Sequence, residues 1–254
     1  MSFDLTSQTD HRPWPLPDGP WTMRQSWRDL LFAHWPLPID AVRPLVPPAF
    51  EIDAFAGEAW ISIVPFRMAN VRPARLPALP WLSAFPELNV RTYVTAPGPT
   101  GVKPGVFFFS LDAANPVAVA IARRFFHLPY YRAAIRLDED ARTIRYASLR
   151  THPQAAPARF EARYAPTGGI EPARRGTLDH WLAERYCLYT TDARGRPYRA
   201  EIHHAPWPLQ AAEAEIVENT VAAAGGVTLP DVAPRLHFSR RLDVLVWPLR
   251  PLAA

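Results

Sequence analysis

Period-two spacing over residues 87–93 gathers four different polar chemistries on one side of an extended segment. Glu87, Asn89, Arg91 and Tyr93 fall on one face, and Leu88, Val90 and Val94 on the other. An acid, an amide, a guanidinium and a phenol in register can bind an organic acid or carbonyl compound, or move a proton beside one. In an open sheet the same pattern is simply the solvent face. In a curled sheet it lines a polar cavity, where Glu87 and Arg91 are expected to hold each other ionised. The run Phe107-Phe108-Phe109 that follows is apolar on both faces, which favours a covered neighbour.

A second cluster surrounds His203-His204. Arg199, Glu201 and His203 share one strand face, with Ile202 and His204 on the other, so the two imidazoles diverge and cannot clasp one metal ion. No His-x-His, HExxH or paired Cys-x-x-Cys spacing occurs, and we expect no metal and no cofactor. The single cysteine, Cys187, sits in an aromatic run and reads as a small packing residue. Lys103 is the only lysine; every other cation among the 28 is arginine. Amine chemistry must therefore use Lys103 or the N-terminus, and a lysine between Gly101 and Pro104 reads as a solvated loop residue.

The elements that carry these residues are mostly strands. Alternation marks 60–66, 88–95, 106–111, 131–137, 143–150, 158–164, 185–191, 198–204, 208–215 and 236–247. Asp138-Glu139-Asp140 and Asp192 to Arg196 are the expected hairpin connections. Asn115-Pro116 is an N-cap followed by a first-turn proline, opening a helix to about Phe126. Short helices are expected from Thr177 or Gly176 through Trp181 and Glu184, over Ile39–Leu45 and over Asn219–Ala224. Residues 1–22, with Pro13, Pro15, Pro17 and Pro20, read as a loosely attached N-terminal arm ahead of one domain over 23–254. That domain is expected to be one large, mostly antiparallel sheet, curled or closed, with helices outside.

The chain's 254 residues with 48% hydrophobic content and 30 Trp, Tyr and Phe residues exclude intrinsic disorder. No apolar run approaches the roughly 18–20 residues that span a bilayer. The net charge of +4 is spread without a basic block, so neither nucleic acid nor membrane is expected as a partner. A polar N-terminus and the lone cysteine make the cytoplasm the expected location.

Several strings together resemble the YqjF-like bacterial family, from about residue 24 to 248. Among them are Leu31-Phe32-Ala33-His34-Trp35-Pro36, Val64-Pro65-Phe66-Arg67-Met68, Glu87-Leu88-Asn89-Val90-Arg91, Leu128-Pro129-Tyr130-Tyr131 and His203-His204-Ala205-Pro206-Trp207. That family is similar to the acetoacetate decarboxylase superfamily, which implies a mostly β (α+β), cone-shaped antiparallel β-barrel around a ligand cavity, with a few peripheral helices. The decarboxylase motif, which ends in Pro-Lys-Lys, falls on residues 122–131, keeping Arg123 and Pro129 but placing Tyr130 and Tyr131 where the lysines would stand. A phenol cannot form an imine with a ketone. The resemblance implies Glu87 as the retained acid, and hence Glu87, Arg91 and Tyr130 as the reacting groups. Asn89, Tyr93, Arg123, Tyr131 and His203 are the expected ligand contacts. The partner is a small organic acid, ketone or aromatic; non-covalent acid/base catalysis is the alternative to binding alone. Homo-oligomers occur among the decarboxylases, but no residue here transfers that property.

Overall fold

The computed structural model describes residues 4–97 and 101–252. Thirteen strands follow one another along the chain. They are β1 (Met23–Leu37), β2 (Glu51–Ile52), β3 (Ala59–Pro73), β4 (Phe85–Ala96), β5 (Lys103–Ala113), β6 (Tyr130–Asp140) and β7 (Thr143–Arg150), then β8 (Arg159–Pro166), β9 (Cys187–Thr191), β10 (Pro197–His204), β11 (Gln210–Asn219), β12 (Arg235–Val246) and β13 (Arg250–Pro251). Four short helices intervene: α1 (Ile39–Val42), α2 (Pro116–Phe125), α3 (Leu178–Ala183) and α4 (Val221–Ala224). The Asn115 side chain accepts from the backbone of Val117 and Ala118 at 3.0 Å each, capping α2 as its sequence requires.

Hydrogen bonding runs β5-β6-β7-β8-β11-β12-β1-β3-β4 and returns to β5, closing a nine-stranded barrel. The β9–β10 hairpin makes a second bridge, pairing in parallel with β5 on one side and antiparallel with β12 on the other. Strands β12, β1, β3, β4 and β5 therefore belong to two rings at once. Alternate residues face two separate interiors. Leu31, Ala33, Ile61, Ile63, Leu88 and Val90 join Tyr146, Phe160 and Tyr164 in the barrel core. Leu30, Phe32, Val64, Phe66 and Met68 face the other way, towards Ile202, Trp207 and Val244.

Alternation does not reveal β1 or the two-residue strands β2 and β13, and for β1 the reason is double burial. Residues 30–35 of β1 form a continuous Leu-Leu-Phe-Ala-His-Trp run, all buried, so the period-two signal vanishes. The strand also bends: Asp29 takes a positive φ of 55° where the pairing with β3 shifts register, and it ties down Arg240 at 2.8 Å. The β6–β7 turn lies at Ala141-Arg142 rather than at the preceding acids, because Asp138 to Asp140 pair with β7.

The N-terminal arm is pinned to the outer face of β10 instead of hanging free. His203 Nε2 meets the Leu5 carbonyl at 2.8 Å, His11 Nε2 meets the His204 carbonyl at 2.7 Å, and Arg12 donates to the Ile202 carbonyl at 2.8 Å. Glu201 gathers the charges beneath the arm. Its carboxylate takes Lys103 Nζ at 2.7 Å, the Trp14 indole N–H at 2.9 Å, and Arg199 and Arg12 at 3.6 and 3.7 Å. All three cations are largely buried, so removing their one counter-charge is costly. We expect Glu201→Gln to lower unfolding stability by about 3 kcal/mol and to release the arm. Chemical denaturation, and the rate of proteolysis ahead of Met23, measure both; unchanged values would show that the arm is held by its backbone contacts alone.

Candidate functional site

A cavity of about 630 Å³ lies between the shared strands and the β9–β10 hairpin, under α2 and the segment 76–83. Most of its wall is hydrocarbon: Trp27, Val64, Phe66, Met68 and Phe85 from β1, β3 and β4, Val106 and Phe108 from β5, and Trp207. Glu87, Asn89 and Arg91 enter it from β4, and Tyr130 from the start of β6. The polar face of β4 is thus a cavity wall rather than a solvent face. Glu87 is 2% exposed, Asn89 5% and Arg91 8%.

Glu87 and Tyr130 form a pair, the phenol donating to Oε2 at 2.9 Å. Burial drives the Glu87 carboxyl up to about 8, opposed by the Tyr130 hydrogen bond and assisted by the nearby Asp112 carboxylate. The same burial, with Glu87 beside it, holds the Tyr130 phenol well above its ordinary range. At neutral pH Glu87 is therefore mostly a carboxylic acid, with a proton to donate to a ligand oxygen. Asp112, on the neighbouring strand, is bound by Arg150 Nε at 2.9 Å in an ion pair whose side chains are 1% and 3% exposed.

Arg91 does not pair with Glu87, contrary to the sequence expectation. Four residues along a strand separate their backbones by about 13 Å, beyond the reach of a carboxylate and a guanidinium leaning together. Instead the Arg91 guanidinium lies over the Phe32 ring at 5.4 Å, with Tyr93 at 5.9 Å. Among the described residues it has no ion-pair partner within 4 Å, and its Nε has no hydrogen-bond partner. Neighbouring Arg185 is neutralised by Asp53, and its Nε donates to the Trp181 carbonyl at 2.6 Å.

Four other residues expected to touch a ligand lie elsewhere. Tyr93 shares the β4 face but sits past the closed end, fully buried, bonded to Ser62 at 2.6 Å and covered by Trp181 at 4.7 Å. Tyr131 points to the opposite side of β6 from Tyr130, under the Arg150 guanidinium at 4.2 Å. Arg123 holds the Tyr130 backbone carbonyl at 2.8 Å and thus positions the strand rather than the ligand. His203 faces the arm, where burial pushes its imidazole down to about 4. The arm covers the polar face of β10, which turns Ile202 and His204 to the cavity. Parity along β10 separates the two histidines; nothing in the strand itself says which side is inside.

His204, Arg185, Cys187 and Trp207 are cavity residues that sequence reasoning did not select. Burial lowers the His204 imidazole below its ordinary range; its Nδ1 lies 2.8 Å from the Ala205 carbonyl and its Nε2 3.3 Å from the Arg185 carbonyl, and a neutral ring donates to one of the two. Burial pushes the Cys187 thiol up to about 12, so it is no nucleophile at neutral pH. Lys103 is not a solvated loop residue but part of β5, buried, with its ammonium on Glu201. It does not line the cavity, which Val106 and Phe108 reach from alternate positions of the same strand. No cluster of three or more metal-ligating side chains exists among the described residues, and none of their helices is long and apolar enough to cross a membrane.

Comparison with known proteins supports this architecture. MppR, an enduracididine biosynthesis enzyme solved with the condensation product of pyruvate and imidazole 4-carboxaldehyde, superposes with a TM-score of 0.62 at 12% identity, covering 92% of this chain and 90% of that one. Acetoacetate decarboxylase from Legionella pneumophila superposes with a TM-score of 0.60 at 13% identity, covering 100% and 97%. These likenesses establish an acetoacetate decarboxylase-like fold. The uncharacterized protein YqjF of Bacillus subtilis (strain 168) is 48% identical over 246 residues, 97% of this chain and 99% of its own. The model of the DUF2071 family, described as an uncharacterized conserved protein (COG2071), matches residues 24–243, and the chain belongs to that family.

Proposed function

We propose that this protein binds a small organic acid, ketone or aromatic compound in the cavity, without forming an imine. One observation carries the reading: a largely hydrocarbon cavity of ligand size holds a protonatable Glu87–Tyr130 pair and a buried arginine without a counter-charge among the described residues. The guanidinium supplies a fixed cation for a carboxylate or an electron-rich carbonyl. The Glu87 carboxyl and the Tyr130 phenol supply hydrogen bonds to a second oxygen. The chain's one lysine is tied to Glu201 on the arm side, which supports non-covalent recognition. A protein of the same fold, MppR, has been solved with pyruvate, a compact keto acid.

Acid/base catalysis on a bound carbonyl compound is the second reading. It is favoured by the Glu87 carboxyl standing near 8, where a single group both gives and takes a proton close to neutrality. Turnover of a bound ligand, lost in Glu87→Gln with binding retained, separates catalysis from binding alone.

Thermal shifts across a panel of carboxylates, ketones and aromatics test the binding reading, because a ligand specific for the folded state raises its apparent stability. For an anionic ligand we expect Arg91→Met to weaken binding roughly ten- to a hundredfold, the loss of a charge-assisted contact. A panel without shifts, or shifts unchanged in Arg91→Met and Glu87→Gln, would overturn the proposal. Borohydride reduction with a β-keto acid is expected to leave the intact mass unchanged. A mass gain on Lys103 would restore imine chemistry.

The Glu87 shift also gives a pH signature. Its carboxyl is raised in the fold to about 8 from an ordinary 4.5, so the folded protein holds a proton that the unfolded chain gives up. The associated stability is complete below about pH 4.5 and falls as pH rises to about 8. Glu87→Gln lacks this loss, and its stability relative to wild type is expected to climb between pH 5 and 8 (roughly, by linkage). Parallel denaturation curves across that range would contradict the buried, protonated Glu87.

A further inference from the structure

The cavity is long, and its polarity is graded along its length. β4 runs down one wall from Phe85 through Glu87 and Asn89 to Arg91, six residues or about 20 Å of extended strand. At the Arg91 end it is closed: Arg185 and Cys187 are 5% and 1% exposed, and Tyr93 with Trp181 seals the floor beyond. At the opposite end it meets solvent between α2 and the segment 76–83. There the lining residues Leu76, Leu79 and Ile121 are 57%, 47% and 46% exposed, so the opening is rimmed largely with hydrocarbon, with Gln25, Arg72 and Ser83 beside it. The Glu87–Tyr130 pair stands part-way down. Between it and the mouth the wall offers Trp27, Phe66, Met68 and Phe85, whose side chains give a polar ligand body little to bond.

This geometry fits a compact acid poorly. At ~30 Å³ per non-hydrogen atom, the volume a water claims in the liquid, 630 Å³ holds about twenty such atoms. A three- or four-carbon keto acid would leave most of the space against hydrocarbon, either void or holding water without polar partners. Resting on the binding reading above, we propose that the ligand is an extended amphipathic carboxylic acid. Its carboxylate lies head-in at Arg91, its hydrocarbon body runs along the wall, and its far end reaches the Leu76, Leu79 and Ile121 rim. Entry head first carries the charge to Arg91, the one buried guanidinium without a counter-ion among the described residues, and leaves the ligand's apolar end at the mouth. Glu87 and Tyr130 then meet the chain part-way along, which adds selectivity for a keto or hydroxyl substituent at that depth.

Calorimetric titration of the full chain with straight-chain carboxylates from butanoate to hexadecanoate, below their aggregation limits, tests the assignment. Affinity is expected to rise about three- to fourfold per added methylene until the chain reaches the mouth, and then to level off. Dodecanamide is expected to bind wild type roughly ten- to a hundredfold more weakly than dodecanoate. Arg91→Met should erase that difference while keeping the chain-length dependence, which a merely unfolded variant would also lose. Ile121→Asp, at the rim, should weaken hexadecanoate and leave octanoate unchanged. If compact acids and ketones bind and lengthening brings no gain, the inference fails and the small-molecule reading stands. Acid and amide binding wild type equally would remove the head from Arg91. If no carboxylate or ketone of any length binds, both fall together.

Discussion

Five strands that serve two rings at once are the constraint on which this molecule depends. Because the central stretches of β12, β1, β3, β4 and β5 are covered on both faces, most side chains there meet one of two interiors, and only the strand ends and the Arg240-Arg241 step reach solvent. One face is filled by the barrel core, where Tyr146, Phe160 and Phe238 meet the apolar side of β1, β3 and β4. The other must be filled by something else, and the chain supplies only a thin wall there, the β9–β10 hairpin, α2 and the segment 76–83. The remaining volume is the cavity. Polar residues placed on that face of β4 are desolvated by topology, not by local sequence.

The electrostatics follow from this burial. Glu87 keeps its proton because the ionised form has lost water and gained only one hydrogen bond, from Tyr130. Asp112 beside it pushes in the same direction, even though Arg150 neutralises most of that charge. The Arg91 guanidinium lies against the Phe32 ring, its charge partially compensated by the aromatic face. Charge and protonated acid stand on one strand at different depths, and a ligand that satisfies both must be extended.

The arm solves a different problem. β10 carries Arg199, Glu201 and His203 on its outward face, a polar surface that would otherwise be open. Arg12, Trp14 and the Leu5 carbonyl close over it, and Glu201 collects three cations. This closure fixes which side of β10 faces the cavity and removes the lysine from it. The Tyr130 phenol gives a neutral hydrogen-bond donor to Glu87.

Much of this was written in local pattern. The alternation of β4 separated Glu87, Asn89 and Arg91 from Leu88 and Val90, and Asn115-Pro116 marked the start of α2, because side-chain direction and capping are set within a few residues. The strings shared with the YqjF-like proteins carried the fold class. What local pattern does not encode is which face of a strand is inside when both are covered. β1 escaped detection because its buried run has no alternation, and His203 was preferred to His204 because the arm's cover on β10 is a contact nearly two hundred residues distant in the chain. The Glu87–Arg91 pair failed on length, since strand rise sets two such groups too far apart, while Tyr130 reached Glu87 only through closure of β4 onto β5 and β5 onto β6. Residue type and parity decide which groups travel together; ring closure decides which solvent, water or hydrocarbon, they meet.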